Sequence, residues 1–248
     1  MKILFFPREY LFPRGCGACG EALLCPEDAY YGLCRQCRLF FESSLVSSKR
    51  CSVCGKDLVS EKETCVNCRE KNVSGSDVFN EWFTGLKLLF PYTDKFRKIL
   101  GEYKFKKSIG LGNFFVHCLS LALTKKDSSM ENAVWVPVPP HPGKIKKKGW
   151  DQVDYLARLL ERKYKNNGEG NIPVCRCLKR LPSRNQKELN REEREKNLKG
   201  KFFCVKKPPN TVIVLDDVFT TGATLNACAR ALIDGGAEKI YGVCLFYD

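Results

Sequence analysis

Cysteines at short, fixed spacing are the first residues in this chain that could do chemistry. Eight of the nine cysteines before residue 70 fall into CxxC pairs: Cys16/Cys19, Cys34/Cys37, Cys51/Cys54 and Cys65/Cys68. A CxxC turn sets two thiolates on one side of a knuckle, as two corners of a tetrahedron require. Two knuckles close one four-sulfur site. Consecutive pairing leaves fourteen residues between the first two knuckles and ten between the last two. A cross-braced pairing would use the same residues. Gly20 and Gly55 follow their knuckles, where the backbone must turn tightly. Four sulfurs leave no open coordination position, so these pairs point to two structural zinc sites. An iron–sulfur cluster or redox thiols are the alternatives for such pairs. Cys25 stands outside them and reads as a bystander.

A second constellation lies near the other end, at Val212–Thr224 (VIVLDDVFTTGAT). An apolar strand ends in two acids, a Thr- and Gly-rich loop follows, and a helix begins. Backbone N–H groups at a helix N-terminus favour an anion. Thr220, Thr221 and Thr224 add hydroxyl donors, and Gly222 lets the backbone approach closely. Asp216 and Asp217 stand at the carboxyl end of the strand, where they can accept hydrogen bonds from two adjacent sugar hydroxyls. Over these thirteen positions the segment resembles the ribose-5-phosphate motif of type I phosphoribosyltransferases. That resemblance implies phosphoribosyl pyrophosphate with magnesium as ligand. Asp216 and Asp217 would hold the ribose, and Thr220, Thr221, Gly222, Ala223 and Thr224 the 5′-phosphate.

The elements that must position these groups follow from periodicity. The cysteine-rich stretch to residue 70 has no long apolar pattern and needs a staple to fold. Residues 71–77 (KNVSGSD) read as a linker. From residue 78 the pattern is that of a globular α/β domain. Residues 78–91 suit one or two strands. Thr93–Tyr103 is helical, with Phe96, Ile99, Leu100 and Tyr103 on one face. Residues 111–123 form a second apolar helix, and Ala133–Val138 a short buried strand closed by Pro-Pro. Asp151–Lys163 is a helix and Thr211–Leu215 a strand. Gly222–Asp234 is a helix stopped at Gly235-Gly236, and Lys239–Phe246 is a last strand. Strands alternating with helices give an α/β fold with a mainly parallel sheet. His117 reads as a core or flank residue.

Three further segments carry a wider resemblance: LFPRGCGACG at residues 11–20, VPVPPHPGKIKKKGWDQVDYLARLL at 136–160, and QKELNREEREKNLKGKF at 186–202. Together with the phosphate loop they resemble ComF-family proteins over nearly the whole chain. Trp150 and Asp151 stand where that family commonly has Phe and Asn. The resemblance implies a type I phosphoribosyltransferase fold over residues 78–248, preceded by a double zinc ribbon over residues 1–70. It implies that the 136–148 loop lies against pyrophosphate, with His141, Lys144 and Lys146 supplying charge. The other reading of that loop is a solvated basic turn. Residues 180–201 would form a hood over the ligand, with Arg180, Arg184, Gln186, Arg191 and Arg194 reaching phosphates. An exposed helix held by i,i+4 pairs is the alternative there. Lys104 and Lys106 either line the sheet edge near the site or pack their stems on the surface.

Forty-two basic against 28 acidic side chains give a net charge of +14, which favours polyanionic partners. The family resemblance implies DNA uptake in natural transformation, with single-stranded DNA and competence-machinery proteins as partners. Basic segments interleaved with aromatics, Tyr103–Lys107 and Lys148–Trp150, are compatible with that. Turnover as a phosphoribosyltransferase of nucleotide metabolism is the other reading, with the acceptor unspecified. No apolar run approaches the roughly 18–20 residues of a membrane-spanning helix, and the run Ile3–Phe6 is too short for a secretory h-region. A cytoplasmic protein is expected, with peripheral membrane contact left open.

Overall fold

The structure is a computed structural model. It describes residues 14–46, 49, 51, 58, 60–66, 68, 69, 82–123, 130, 132–145, 149–167, 173–183 and 191–248; for residues 46, 164–167, 191, 192, 194 and 195 it describes the backbone alone. Cys54, Lys146, Arg184, Gln186 and the 71–77 linker lie outside the described residues, as do the first ten residues.

Four parallel strands form the centre. They are β1 (Gly85–Pro91), β2 (Val134–Pro137), and the strands here numbered β5 (Thr211–Phe219) and β6 (Lys239–Tyr247), in the order β1-β6-β5-β2. The strands are apolar on both faces because helices cover both. Ile213, Leu215, Tyr241, Val243 and Leu245 face one core, whereas Val212, Val214, Ile240 and Cys244 face the other. This is the period-two alternation of a pleated strand. On the first face lie α3 (Asp94–Lys106), α4 (Ile109–Leu123) and α5 (Gln152–Asn167). The helix α3 buries Phe96, Ile99, Leu100 and Tyr103, the stripe expected from spacing. On the second face lies α7 (Ala223–Asp234), with a two-stranded antiparallel ribbon, β3 (Leu178–Arg180) and β4 (Phe202–Cys204). A short helix, α6 (Arg191–Leu198), lies between the ribbon strands in sequence.

Several elements run longer than periodicity suggests, β5 and α5 the most. The strand β5 continues through Asp216 and Asp217 to Phe219 because its pairing with β6 continues, Val218 to Phe246 and Phe219 to Tyr247. The helix α5 runs on to Asn167. The short helices α1 (Pro26–Tyr31) and α2 (Arg35–Val46) in the cysteine segment carried no pattern strong enough to announce them.

The described part of the first cysteine segment shares its core with the sheet. Leu23, Leu33 and Phe41 lie in one cluster with Phe90, Phe96 and Phe114. Asn113 of α4 donates to the Tyr30 carbonyl at 2.9 Å, and Lys98 of α3 donates to the Ala18 carbonyl at 2.5 Å. A Cβ at Gly110 would stand 2.5 Å from the Gly32 nitrogen, so this contact requires glycine at the start of α4. His117 occupies the same interface, half-buried, 3.2 Å from a Glu42 carboxylate oxygen. Burial holds its imidazole below the usual value. No helix of the described residues is long and apolar enough to cross a membrane.

Candidate functional site

The sulfurs of Cys16, Cys19, Cys34 and Cys37 all lie within 4.8 Å of one another. Consecutive knuckles therefore pair in the first module. A tetrahedral zinc with bonds of about 2.3 Å sets its sulfurs about 3.8 Å apart, and Cys19 Sγ lies 3.7 Å from Cys34 Sγ. The Cys34 N–H points at Cys16 Sγ at 3.4 Å, which supports a thiolate there. Burial would push the Cys16 thiol up, but backbone N–H groups of Cys19, Cys34 and Ala18 outweigh it and bring it down to about 7. Burial and neighbouring sulfurs push Cys37 far up. Four thiolates packed this closely need a cation, and the donor set fits zinc. In the second module Cys51, Cys65 and Cys68 form a similar group. Cys25 is exposed and outside the cluster.

The other polar concentration lies at the carboxyl ends of the strands. Strand β2 ends its pairing at Leu215, with a last bond from the Val138 N–H to the Leu215 carbonyl at 2.9 Å. Beyond that point β5 has an open edge. A cleft of about 390 Å³ forms there. Open parallel sheets bind ligands in this position, outside the carboxyl ends of their strands. Asp216, Asp217, Thr220, Thr224, His141, Lys144 and Arg180 all line the cleft. Thr221, Gly222 and Ala223 line a smaller recess of about 20 Å³, shared with Thr220 and Thr224. Arg191 and Arg194 lie in α6, and their side chains are outside the described residues.

The loop's shape follows from Gly222, which caps α7 at φ 80°. No side chain there caps the helix. The Ala223 N–H meets Thr221 Oγ1 at 3.3 Å. The helix thus begins at the recess with the positive end of its dipole facing it.

Among the described residues, the buried polar side chains are Asp151, Gln152 and Asp217, and all three belong to the cleft. They form one network. Asp151 caps α5, accepting the N–H groups of Val153 and Asp154 at 3.1 and 2.9 Å. Its other oxygen accepts from Lys144 Nζ at 2.8 Å, and Lys144 also donates to Gln152 Oε1 at 2.7 Å. The Gln152 amide donates to Asp217, and Lys104 Nζ stands 3.0 Å from the same Asp217 oxygen. Lys104 thus lines the site, whereas Lys106 points to solvent and pairs with Glu102.

This wiring splits the acid pair. Burial raises Asp216 to about 7, with the neighbouring Asp217 charge adding to it. Burial acts on Asp217 too, but the Lys104 ammonium and the Gln152 amide hold it below the usual carboxylate range. Arg180 sits over the Phe202 ring, 5.3 Å from its centroid, and donates to Ser183 Oγ at 3.0 Å. His141 ties the ribbon to the 139–145 turn, its Nε2 being 2.9 Å from the Ser183 carbonyl oxygen. Residue patterns alone left out Tyr92, Asp151 and Gln152. An Asp just before the periodic run Val153, Leu156, Ala157, Leu160 is the readable signal for one of them.

Fold and site define a parallel-sheet α/β protein with a Thr- and Gly-rich loop beside an acid pair, joined to a cysteine module whose donor set could hold a metal ion. No family model matches the chain. Competence protein F of Haemophilus influenzae is 27% identical over 218 residues, 84% of this chain and 87% of that protein. Competence protein ComFC of Streptococcus pneumoniae is 24% identical over 212 residues, 84% of each chain. Competence protein ComFC of Bacillus subtilis is 28% identical over 151 residues, 60% of this chain and 58% of that protein. These three relatives support placing the chain in the ComF family.

Proposed function

We propose that the cleft binds phosphoribosyl pyrophosphate with magnesium, and that the protein serves DNA uptake in natural transformation by handling single-stranded DNA. The observation that carries the ligand reading is the convergence of three chemistries in one cleft. Asp216 and Asp217 offer acceptors to adjacent hydroxyls, the Gly222-capped start of α7 offers donors to a monoester, and Lys104, Lys144 and Arg180 offer charge to a second phosphate group. The magnesium enters with the pyrophosphate and neutralises part of its charge. The network of Asp151 and Gln152 orients Lys144 and Asp217 before the ligand arrives, which lowers the cost of ordering them.

The role in competence is supported by the names of the relatives that align with 84% of the chain. The net charge of +14 supports a polyanion as partner. Calorimetric titration with phosphoribosyl pyrophosphate and magnesium tests the first half. Micromolar binding that disappears in Asp216→Ala/Asp217→Ala, with zinc content and the folded circular-dichroism spectrum retained, is the expected result. Binding retained in that variant would remove the acid pair from the site. For the second half, affinity for a single-stranded oligonucleotide should fall steeply from 50 to 200 mM salt, about tenfold or more. An affinity insensitive to salt would defeat the polyanion reading.

Catalytic turnover is a second reading, favoured by the ribbon of β3 and β4, which is tied to the 139–145 turn by the contact of His141 with Ser183 just after β3. A covering segment of this kind excludes water from a reacting sugar. Pyrophosphate release in the presence of candidate acceptor bases would establish it.

A further inference from the structure

His141 opens a tight turn. Its carbonyl accepts the Lys144 N–H at 3.0 Å. Pro142 follows it, and Gly143 stands at φ 85°. Proline in the second place and a positive φ in the third mark a type II turn, so the backbone carrying the ring has little freedom.

The ring lies between two carbonyl oxygens. Nδ1 stands 2.7 Å from the Pro142 oxygen and Nε2 2.9 Å from the Ser183 oxygen. A neutral imidazole has one N–H donor and one acceptor. It satisfies one carbonyl and turns a lone pair toward the other. The imidazolium carries a donor on each nitrogen and satisfies both, and bonds from a charged donor are the stronger ones. Ser183 also offers the neutral ring a partner. Its own N–H stands 3.4 Å from the same Nε2, where it can donate to a lone pair. One residue just past β3 therefore presents an acceptor to the charged ring and, at a longer distance, a donor to the neutral ring.

His141 lines the acidic cleft. The titratable groups that share this lining are Lys144 and Asp151 from its own side, Tyr92 after β1, Lys104 of α3, Arg180 of β3, and Asp216 and Asp217 of β5. Lys144 is paired with Asp151 and Lys104 with Asp217. Arg180 donates to the Ser183 hydroxyl at 3.0 Å. Two cleft residues thus hold the same serine, one by its side chain and one by its backbone.

We propose that His141 is a proton-operated clasp, which as the imidazolium fastens Ser183 and the end of the ribbon to the 139–145 turn, and as the neutral ring releases them to the weaker contact. Its coupling to ligand rests on the reading of the cleft as a phosphoribosyl pyrophosphate site. The negative charge of that ligand favours the imidazolium, so binding closes the clasp and takes up a proton. His141 is a positioning residue in this scheme, acting on the ligand through the ribbon.

The test is nuclear magnetic resonance of the full, zinc-loaded, isotope-labelled chain. The chain has two histidines, His117 and His141, so His141→Gln assigns the ring signals by their loss. Imidazoles change charge between about pH 5 and 8. Over that range the His141 ring and the Ser183 amide should shift with one midpoint, and the Ser183 shift should vanish in His141→Gln. Phosphoribosyl pyrophosphate with magnesium should raise the ring midpoint by about half a pH unit or more. Separate midpoints for ring and amide in the parent, or a Ser183 shift that persists in His141→Gln, would overturn the clasp. Calorimetric binding of the ligand with no movement of the ring midpoint would overturn its coupling to the ligand. Absence of calorimetric binding would defeat the reading of the cleft instead, and the ring and amide titrations would still decide the clasp.

Discussion

The cysteine module and the acidic cleft are both dense clusters of groups that can carry negative charge, and they are balanced in opposite ways. Around Cys16, Cys19, Cys34 and Cys37 the largest influences on the Cys16 and Cys37 thiols among the described residues are burial, backbone N–H groups and neighbouring sulfurs. A metal ion could supply the balance for such a donor set. In the cleft, Asp151 and Asp217 each have a lysine at 2.8 and 3.0 Å, and Gln152 links the two pairs. The protein balances this region itself. One region is thus a donor set that a cation could balance, whereas the other already pairs its acids with lysines.

Metal removal should break this comparison most severely. Binding free energies of structural zinc are on the order of 10 kcal/mol. Cys16 and Cys34 lie in the same core cluster as Phe90, Phe96 and Phe114 of the α/β part. Chelation, or Cys34→Ser, should therefore lower the melting temperature of the whole chain, measured by near-ultraviolet circular dichroism. A sheet that melts unchanged after metal loss would mean that the module is merely appended. A substitution at the contact itself sharpens the same point without touching sulfur. Gly110→Ala places a methyl against the Gly32 backbone, 2.5 Å from its nitrogen. Backbone on both sides leaves little freedom to relax, so a loss of about 2–4 kcal/mol in urea unfolding is expected.

The cleft should respond to pH where the module responds to metal. Asp216 titrates at about 7 in the folded chain because of its burial and the charge of Asp217, against about 3.9 when unfolded. The folded state binds this proton more tightly. Its contribution to stability is therefore fully present below about pH 4 and is lost as pH rises through about 7. The side chain is partly exposed, so the effect is put at about 2 kcal/mol rather than the full linkage value. Asp216→Asn should be more stable than the parent at pH 8, with the difference shrinking toward pH 4, in chemical denaturation without ligand. A pH-independent difference would place the Asp216 proton outside the folding equilibrium.

The two regions also differed in how far they could be read in advance. The CxxC spacing identified the ligands but left their pairing open, because pairing depends on how the 20–33 segment folds back. That turn rests on α1 and on Gly32, whose signals are local and weak. The strand–acid–loop–helix order around Asp216 was legible because it is contiguous. Asp151, Gln152 and Lys104 were harder to read because tertiary packing brings them to Asp217 from other elements, across 113 residues in the case of Lys104. The ribbon strands Leu178–Arg180 and Phe202–Cys204 are three residues each. Runs that short carry no usable period.

The smallest effect expected here comes from the face of α7 that neither region uses. Asn226 leaves both amide atoms buried and unpartnered, an arrangement that costs about 1–3 kcal/mol when nothing fills it. Ala227 and Ala231 beside it leave room for a branched apolar side chain. Leucine also has the higher helix propensity, by a few tenths of a kcal/mol. Asn226→Leu should therefore stabilise the ligand-free chain by about 1 kcal/mol, a rise of roughly 2–4 °C in melting temperature. Thermal unfolding of the two chains at one pH and salt checks this, and a lower melting temperature in Asn226→Leu would show that the amide serves the folded state in a way its missing partners do not reveal.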